Sequence, residues 1–229
     1  MPLDIPRIHA LCFDVDGTLN DTDDQFVRKL VKWLAPLRGL FPGKDPAPFA
    51  RRLVMMTEAP GNYLLGLPDR LGIDNEISAL GDFLYRIGLG KNPEPFVMIE
   101  GIQAMLKGLY PHFPMSIVSA RGARTTQIFI KQYNLQPLFC CIATAQTCQH
   151  TKPYADPILW AAEQMGVRAE NCLMIGDTTV DIQAGKAAGA QTVGVLCGFG
   201  EEKELRSTGA DLILSSTTQL TEILFPLIK

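Results

Sequence analysis

Between residues 101 and 227 strand-like apolar runs alternate with helix-period segments. The run that must begin this series, Ile8 to Phe13, stands about a hundred residues ahead of the next, Met115 to Val118. Few folds accept that pattern. Strands separated by helices of this length pair in parallel, and a parallel sheet is covered by helices on both faces. The spacing predicts helices over Gly101–Tyr110, Ala123–Tyr133, Asp156–Met165, Val180–Ala188 and Thr218–Leu227. It predicts further strands over Cys140–Ala143, Cys172–Ile175, Gln191–Val195 and Leu212–Leu214.

The long gap carries a different signal. Asp24–Leu37, Pro48–Thr57, Tyr63–Leu71 and Asn75–Ile87 have helical apolar periodicity, with Pro and Gly at the joints. This reads as a helical insertion that starts at Asn20 or Asp21 and ends at Asn92-Pro93-Glu94-Pro95, where two prolines favour an extended connector. The expected fold class is α/β: a Rossmann-like parallel sheet core with helices on both faces, formed by residues 1–20 and 93–229, and an inserted all-helical cap domain at 21–92.

Composition narrows the possible partners. The chain has 229 residues, 47% hydrophobic and 20% charged, which is enough to bury a sizeable core. Its net charge of -3 and scattered Lys and Arg give no basic stripe for nucleic acid and no polybasic membrane anchor. No apolar run approaches the roughly 20 residues a bilayer span needs. The start, Met1 to Pro6, lacks the charged and greasy regions of a signal peptide. A cytoplasmic protein, monomer or homodimer, acting on a small molecule is expected. None of the six cysteines makes a C-x-x-C pair; Cys12, Cys140, Cys141, Cys172 and Cys197 read as small buried hydrophobes. His9, His112 and His150 share no ligand spacing.

The chemistry is concentrated where strands end. Asp14-Val15-Asp16-Gly17-Thr18 closes the first strand with two carboxylates, which can act together only if the chain leaves strand geometry after Asp14, as Gly17 permits. Ser119-Ala120-Arg121-Gly122, Thr151-Lys152-Pro153 and Gly176-Asp177-Thr178-Thr179-Val180-Asp181 follow three other strands. Ligands of open parallel sheets bind outside the carboxyl ends of the strands, so all four segments can meet at one edge. Asp14, Asp16, Asp177 and Asp181 together need a cation, and hard oxygen ligands favour Mg2+. Lys152 adds a fixed positive charge. Ser119 and the backbone N–H groups of Asp16, Gly17 and Ala120 can hydrogen-bond phosphoryl oxygens. Taken singly, each segment is explained as a turn, a cap or a solvated lysine. The conjunction of four is not.

At these residues the chain closely resembles the haloacid dehalogenase superfamily, in the branch with a helical cap between the first and second motifs. The motifs are Asp14-Val15-Asp16-Gly17-Thr18, Ser119, Lys152-Pro153, and Gly176-Asp177 with Asp181. The stretch from Val193-Gly194-Val195 to Gly198-Phe199-Gly200, followed by Ala210-Asp211 and Leu220, resembles the ending of phosphoglycolate-phosphatase-like members. The resemblance implies a magnesium-dependent phosphatase acting on a small phosphorylated metabolite, of phosphoglycolate or sugar phosphate type. Asp14 would be the nucleophile, Asp16 the acid and base, Ser119 a phosphoryl holder and Lys152 the residue that orients Asp14. Mg2+ would be bound by Asp14, the Asp16 carbonyl and Asp177. Asp181 would touch the metal through water or anchor Lys152. Arg121 would reach the substrate or pair with a nearby acid.

The dehalogenases of the superfamily lack the second aspartate, so Asp16 argues for phosphate chemistry. Phosphoglucomutase-like transfer and pyrophosphate hydrolysis are the enzymatic alternatives. For the mutase, the helix after Asp21 carries Asp23-Asp24-Gln25-Phe26 without the expected histidine. A phosphoacceptor binding module is the non-enzymatic rival, but such modules are about half this length and lack a cap. Specificity is expected in the cap, with Arg51, Arg52, Thr57, Asn62 and Tyr63 as candidates.

Overall fold

The computed structural model describes residues 3–21, 30–41, 43, 45–47, 49 and 95–225. The predicted helices over Pro48–Thr57, Tyr63–Leu71 and Asn75–Ile87, with Arg51, Arg52, Thr57, Asn62 and Tyr63, therefore lie wholly or almost wholly outside the described residues. Six described strands form one sheet: β1 (Ala10–Phe13), β2 (Met115–Val118), β3 (Cys141–Ala143), β4 (Cys172–Gly176), β5 (Gln191–Val195) and β6 (Leu212–Leu214). Their order is β3-β2-β1-β4-β5-β6, and every neighbouring pair is parallel. The chain builds outward from β1 to β3, then returns to the other side of β1 for β4 to β6. The crevice between β1 and β4 is thus the point where strand order reverses.

The helices are α1 (Ile102–Leu109), α2 (Ala123–Gln132), α3 (Asp156–Gln164), α4 (Thr179–Ala187), α5 (Glu202–Thr208) and α6 (Leu220–Leu224). Alternate strand residues feed two different cores, as the period of two requires. Leu11 and Phe13 of β1 join Ile117, Ile175 and Val195 against Ile102, Leu106 and Leu109 of α1, Phe129 and Ile130 of α2, and Leu220 of α6. Ala10 and Cys12 join Val118, Ala143, Cys172 and Met174 against Ile158, Ala161 and Ala162 of α3 and Ala184 of α4. One face is therefore filled by large side chains and the other by small ones. Small residues let α4 approach closely: a Cβ on Gly185 would overlap Thr192 Cγ2 and crowd Met174.

Two expectations change. Cys140, expected to be buried, is exposed just before β3, and Cys141 and Cys197 are partly exposed. The short helix α5 was not expected. Its residues Glu202 to Thr208 are polar except for the buried Leu205, too few apolar positions to register as periodicity. At the last helix, Thr217–Gln219 forms a 3-10 turn before α6, and residues 226–229 lie outside the described set. No described helix is long and apolar enough to cross a membrane.

The described segments on either side of residues 22–94 meet at one place. Asp21 N–H donates to Val97 O at 2.6 Å, and Asn20 bridges Met98 in antiparallel fashion. Gln132 and Tyr133, at the end of α2, hydrogen-bond the backbone of Phe96 and Met98. Beneath them Phe129 is fully buried, edge-on to Phe96 at 5.5 Å and to Tyr133 at 5.6 Å. Phe129→Ala should lower unfolding free energy by about 3–5 kcal/mol in urea titration, since the cavity sits in a three-ring cluster. A loss below about 1 kcal/mol would mean that the cluster does not secure the returning segment.

Candidate active site

β1, β2 and β4 end on the same edge, and each places a polar residue there. Asp14 N–H continues the ladder to Ile175 O at 2.9 Å, and Ser119 N–H continues it to Ala143 O at 3.0 Å. The strand geometry then breaks. Leu19 and Asn20 both donate to Val15 O, and Gly17 adopts φ +71°, so the backbone folds back over the end of β1. The Gly17 N–H, expected to meet a phosphoryl oxygen, is instead donated to Asn20 O at 2.9 Å. What Gly17 contributes is clearance, because a Cβ there would overlap Asp177 Oδ2.

Lys152 reaches this edge from the loop after β3. Its Nζ donates to Asp14 Oδ1 at 2.7 Å and to Asp181 Oδ1 at 2.6 Å, and its side chain is only 3% exposed. Burial alone would lower the ammonium pKa, but Asp14 and Asp181 outweigh it and raise it. Lys152 is thus a permanent cation. Asp181 is the third residue of α4, and its other oxygen accepts from Thr178 N–H at 3.0 Å and Thr178 Oγ1 at 2.7 Å. Asp181 is therefore held from both sides, and a Cβ on Gly176 would overlap it.

Asp177 is fully buried after β4. Phe199 N–H donates to its Oδ2 at 2.8 Å, and the glycines at 17 and 198 leave that oxygen the room it occupies. Oδ1 has no hydrogen-bond partner among the described residues. Burial first, then the neighbouring Asp181 and Asp14, push its pKa well above the usual carboxylate range. Burial likewise raises Asp14 to about 7, against the opposing pull of Lys152 and with help from Asp181 and Asp16. The role of the Phe199 amide and the flanking glycines was not identified from the sequence, because a backbone donor leaves no mark in residue type.

Asp16 and Arg121 form a bidentate ion pair: Nη2 donates to Oδ1 at 2.6 Å, and Nε donates to Oδ2. Asn20 Nδ2 also donates to Asp16 Oδ1, at 3.1 Å. The guanidinium carbon lies 5.0 Å from the centre of the Phe96 ring. Of the two readings of Arg121, pairing with an acid is the one present. Ser119 is 4% exposed and its Oγ accepts from Arg121 N–H at 3.1 Å, which leaves its hydroxyl proton to donate. Ala120, between them, is partly buried.

One carboxylate oxygen from each of Asp14, Asp177 and Asp181 lies within 4.8 Å of the others. Three buried carboxylates around one ammonium leave two negative charges when all are ionised, and Asp177 Oδ1 meets no donor among the described residues. The hard oxygen donors, the charge deficit and the orphaned atom all fit a divalent cation.

A family model described as haloacid dehalogenase-like hydrolase matches residues 67–195. The chain is 30% identical to a phosphoglycolate phosphatase of Neisseria gonorrhoeae, over 97% of this chain and 95% of that one. It is 27% identical to the pyrophosphatase PpaX of Anoxybacillus flavithermus, over 95% and 97%. In fold it is similar to a HAD family hydrolase of Deinococcus radiodurans solved with bound phosphate and sodium. That likeness has a TM-score of 0.66 at 24% identity and covers 97% of each chain.

The raised Asp14 pKa has a definite pH signature. A carboxyl that titrates near 3.8 when unfolded and about 7 when folded stabilises the fold below the lower value and loses that contribution as pH rises through the higher one. A cation bound to the ionised cluster restores it. Added Mg2+ should therefore raise the melting temperature by several degrees at pH 8 and by much less at pH 5.5, read by thermal denaturation against EDTA controls. An equal shift at both pH values would separate Asp14 from the cation site.

Proposed function

Because the chain belongs to the haloacid dehalogenase-like hydrolase family, we propose that it is a magnesium-dependent phosphatase of small phosphorylated metabolites, working through an aspartyl phosphate on Asp14. The observation that carries this reading is the Asp14–Lys152–Asp181 triad beside the unpartnered Oδ1 of Asp177. Lys152 holds Asp14 Oδ1, so Oδ2 is the attacking atom. Its bond to phosphorus forms as the bond from phosphorus to the ester oxygen breaks. Asp16 gives its proton to the departing oxygen, then takes one from the water that attacks the aspartyl phosphate, which returns Asp14 and releases phosphate.

Ser119 Oγ–H donates to a non-bridging phosphoryl oxygen, while Lys152 offsets the charge that spreads over the group in transit. Asp14, the Asp16 carbonyl and Asp177 would hold Mg2+. When bound, that ion neutralises phosphoryl charge as a Lewis acid. Both Asp181 oxygens already hold donors, so its role is to anchor Lys152 rather than to coordinate. The insertion at 21–92, as a cap domain, would exclude bulk water from the first displacement.

Phosphoglycolate and sugar phosphates are the leading substrates. Pyrophosphate is the second reading, favoured by the relatives named as pyrophosphatases.

Asp14→Asn should cut turnover of para-nitrophenyl phosphate by at least about 1,000-fold with an unchanged circular-dichroism spectrum. EDTA should abolish wild-type turnover, and Mg2+ should restore it. Substantial activity in Asp14→Asn would move the nucleophile elsewhere, and metal-independent turnover would refute the cation site. Asp181→Asn should lower turnover by roughly 10- to 100-fold, measured in the same assay, because Lys152 loses one of its two anchors.

A further inference from the structure

Of the two cations among the described residues that touch the proposed catalytic aspartates, one is buried and one is partly exposed. Lys152 is 3% exposed and held by two buried carboxylates, whereas the Arg121 side chain is 27% exposed and the Asp16 carboxylate it grips is 29% exposed. The grip has a consequence for Asp16. The guanidinium fork engages both carboxylate oxygens at once, and Asn20 adds a further donor to Oδ1. In that arrangement Asp16 presents donors, not free oxygens, to anything beside it. It must exchange partners before it can meet a leaving-group oxygen.

We propose that Arg121 sets the substrate class of this site: its guanidinium exchanges Asp16 for an anionic group on the departing part of the substrate, so the enzyme selects phosphoryl esters and anhydrides whose leaving group carries a second negative charge. The inference rests on the phosphatase reading given above and deepens it.

Three features support the exchange. The pair is partly open to solvent, 27% at Arg121 and 29% at Asp16, so an incoming anion can reach the guanidinium from that side and take the place of the carboxylate. A planar fork accepts a carboxylate or a phosphate in the same bidentate way, so the incoming anion recovers what Asp16 gives up. Phe96 lies under the guanidinium, and Arg121 N–H is fixed on Ser119 Oγ, so the base of the side chain stays in place while its tip changes partner.

The position also sets the distance. Arg121 touches the carboxylate proposed to protonate the leaving oxygen, so the anion it receives must lie one or two bonds beyond that oxygen. The two relatives named above fit this chemistry: phosphoglycolate carries a carboxylate there, and pyrophosphate a second phosphoryl group. A neutral alcohol leaving group gives Arg121 nothing to exchange for, and the pair with Asp16 then persists.

The test compares phosphoglycolate with 2-hydroxyethyl phosphate, its uncharged counterpart of the same chain length, using the full chain with Mg2+ and para-nitrophenyl phosphate as a reference. Wild-type kcat/KM should favour phosphoglycolate by about 100-fold, and Arg121→Gln should shrink that ratio to about 3-fold or less, chiefly by raising KM for phosphoglycolate. Arg121→Lys keeps the charge and loses the fork, so its ratio should fall between the two. An equal loss on both substrates in Arg121→Gln would overturn the inference and leave Arg121 as a support for Asp16. So would a wild type that turns over para-nitrophenyl phosphate without distinguishing the pair, while the phosphatase reading stood. Turnover of none of the three would overturn both.

Discussion

The structure turns on one buried ammonium. Lys152 comes from a loop after β3, two strands away from β1, yet its Nζ sits between carboxylates carried by the end of β1 and the first turn of α4. A lone charge in that place would carry a desolvation cost of several kcal/mol. Two short charge-assisted bonds offset it and in doing so define where the strand ends stand relative to one another. The triad is overcharged, since the acid cluster outnumbers the ammonium even before Asp177 is considered. A site with fewer acids would be more stable empty and less able to receive a divalent cation. Burial first, and repulsion among the acids after it, holds the Asp14 and Asp177 pKa values above the usual carboxylate range.

The fold prepares this arrangement by keeping its two faces unequal. The large-residue face, with Phe13, Phe129 and Leu106 among its members, supplies most of the apolar burial. The small-residue face lets α4 lie close to β4 and β5, with Gly185 against Thr192 and Met174. That proximity places the first turn of α4, and therefore Asp181, directly over the end of β4. Gly176 completes the fit, because a side chain there would occupy the volume of the Asp181 carboxylate. Core packing and charge placement are thus one constraint seen from two ends.

Much of this was legible in the order of residues. Strand ends at Asp14, Ser119, Asp177 and the loop at Lys152 follow from apolar runs that stop at polar residues, and parallel pairing places all of them on one edge. Elements with weak periodicity escaped, as α5 did, because Leu205 alone faces inward. Tertiary exchange of hydrogen bonds was also invisible. Nothing local says that Phe199 N–H would hold Asp177. The fork between Arg121 and Asp16 spans 105 residues of sequence, so residue type allowed the pairing but spacing could not select it.

The same contacts tie the proposed acid to the path of the insertion. Asn20 donates through Nδ2 to Asp16 and accepts through Oδ1 from Val97 N–H at 3.1 Å, so one side chain links the carboxylate to the segment at residues 95–99. Arg121 grips Asp16 on its other side and rests on Phe96 of that segment. Any displacement of the paired exit and return segments is therefore felt at Asp16 through two separate side chains. Asp14, by contrast, is fixed by its ladder bond to Ile175 and by Lys152. The division suits the chemistry. A nucleophile must hold its line to phosphorus through both displacements, while the group that first gives and then takes a proton must serve two different oxygens and gains from a mount that can shift.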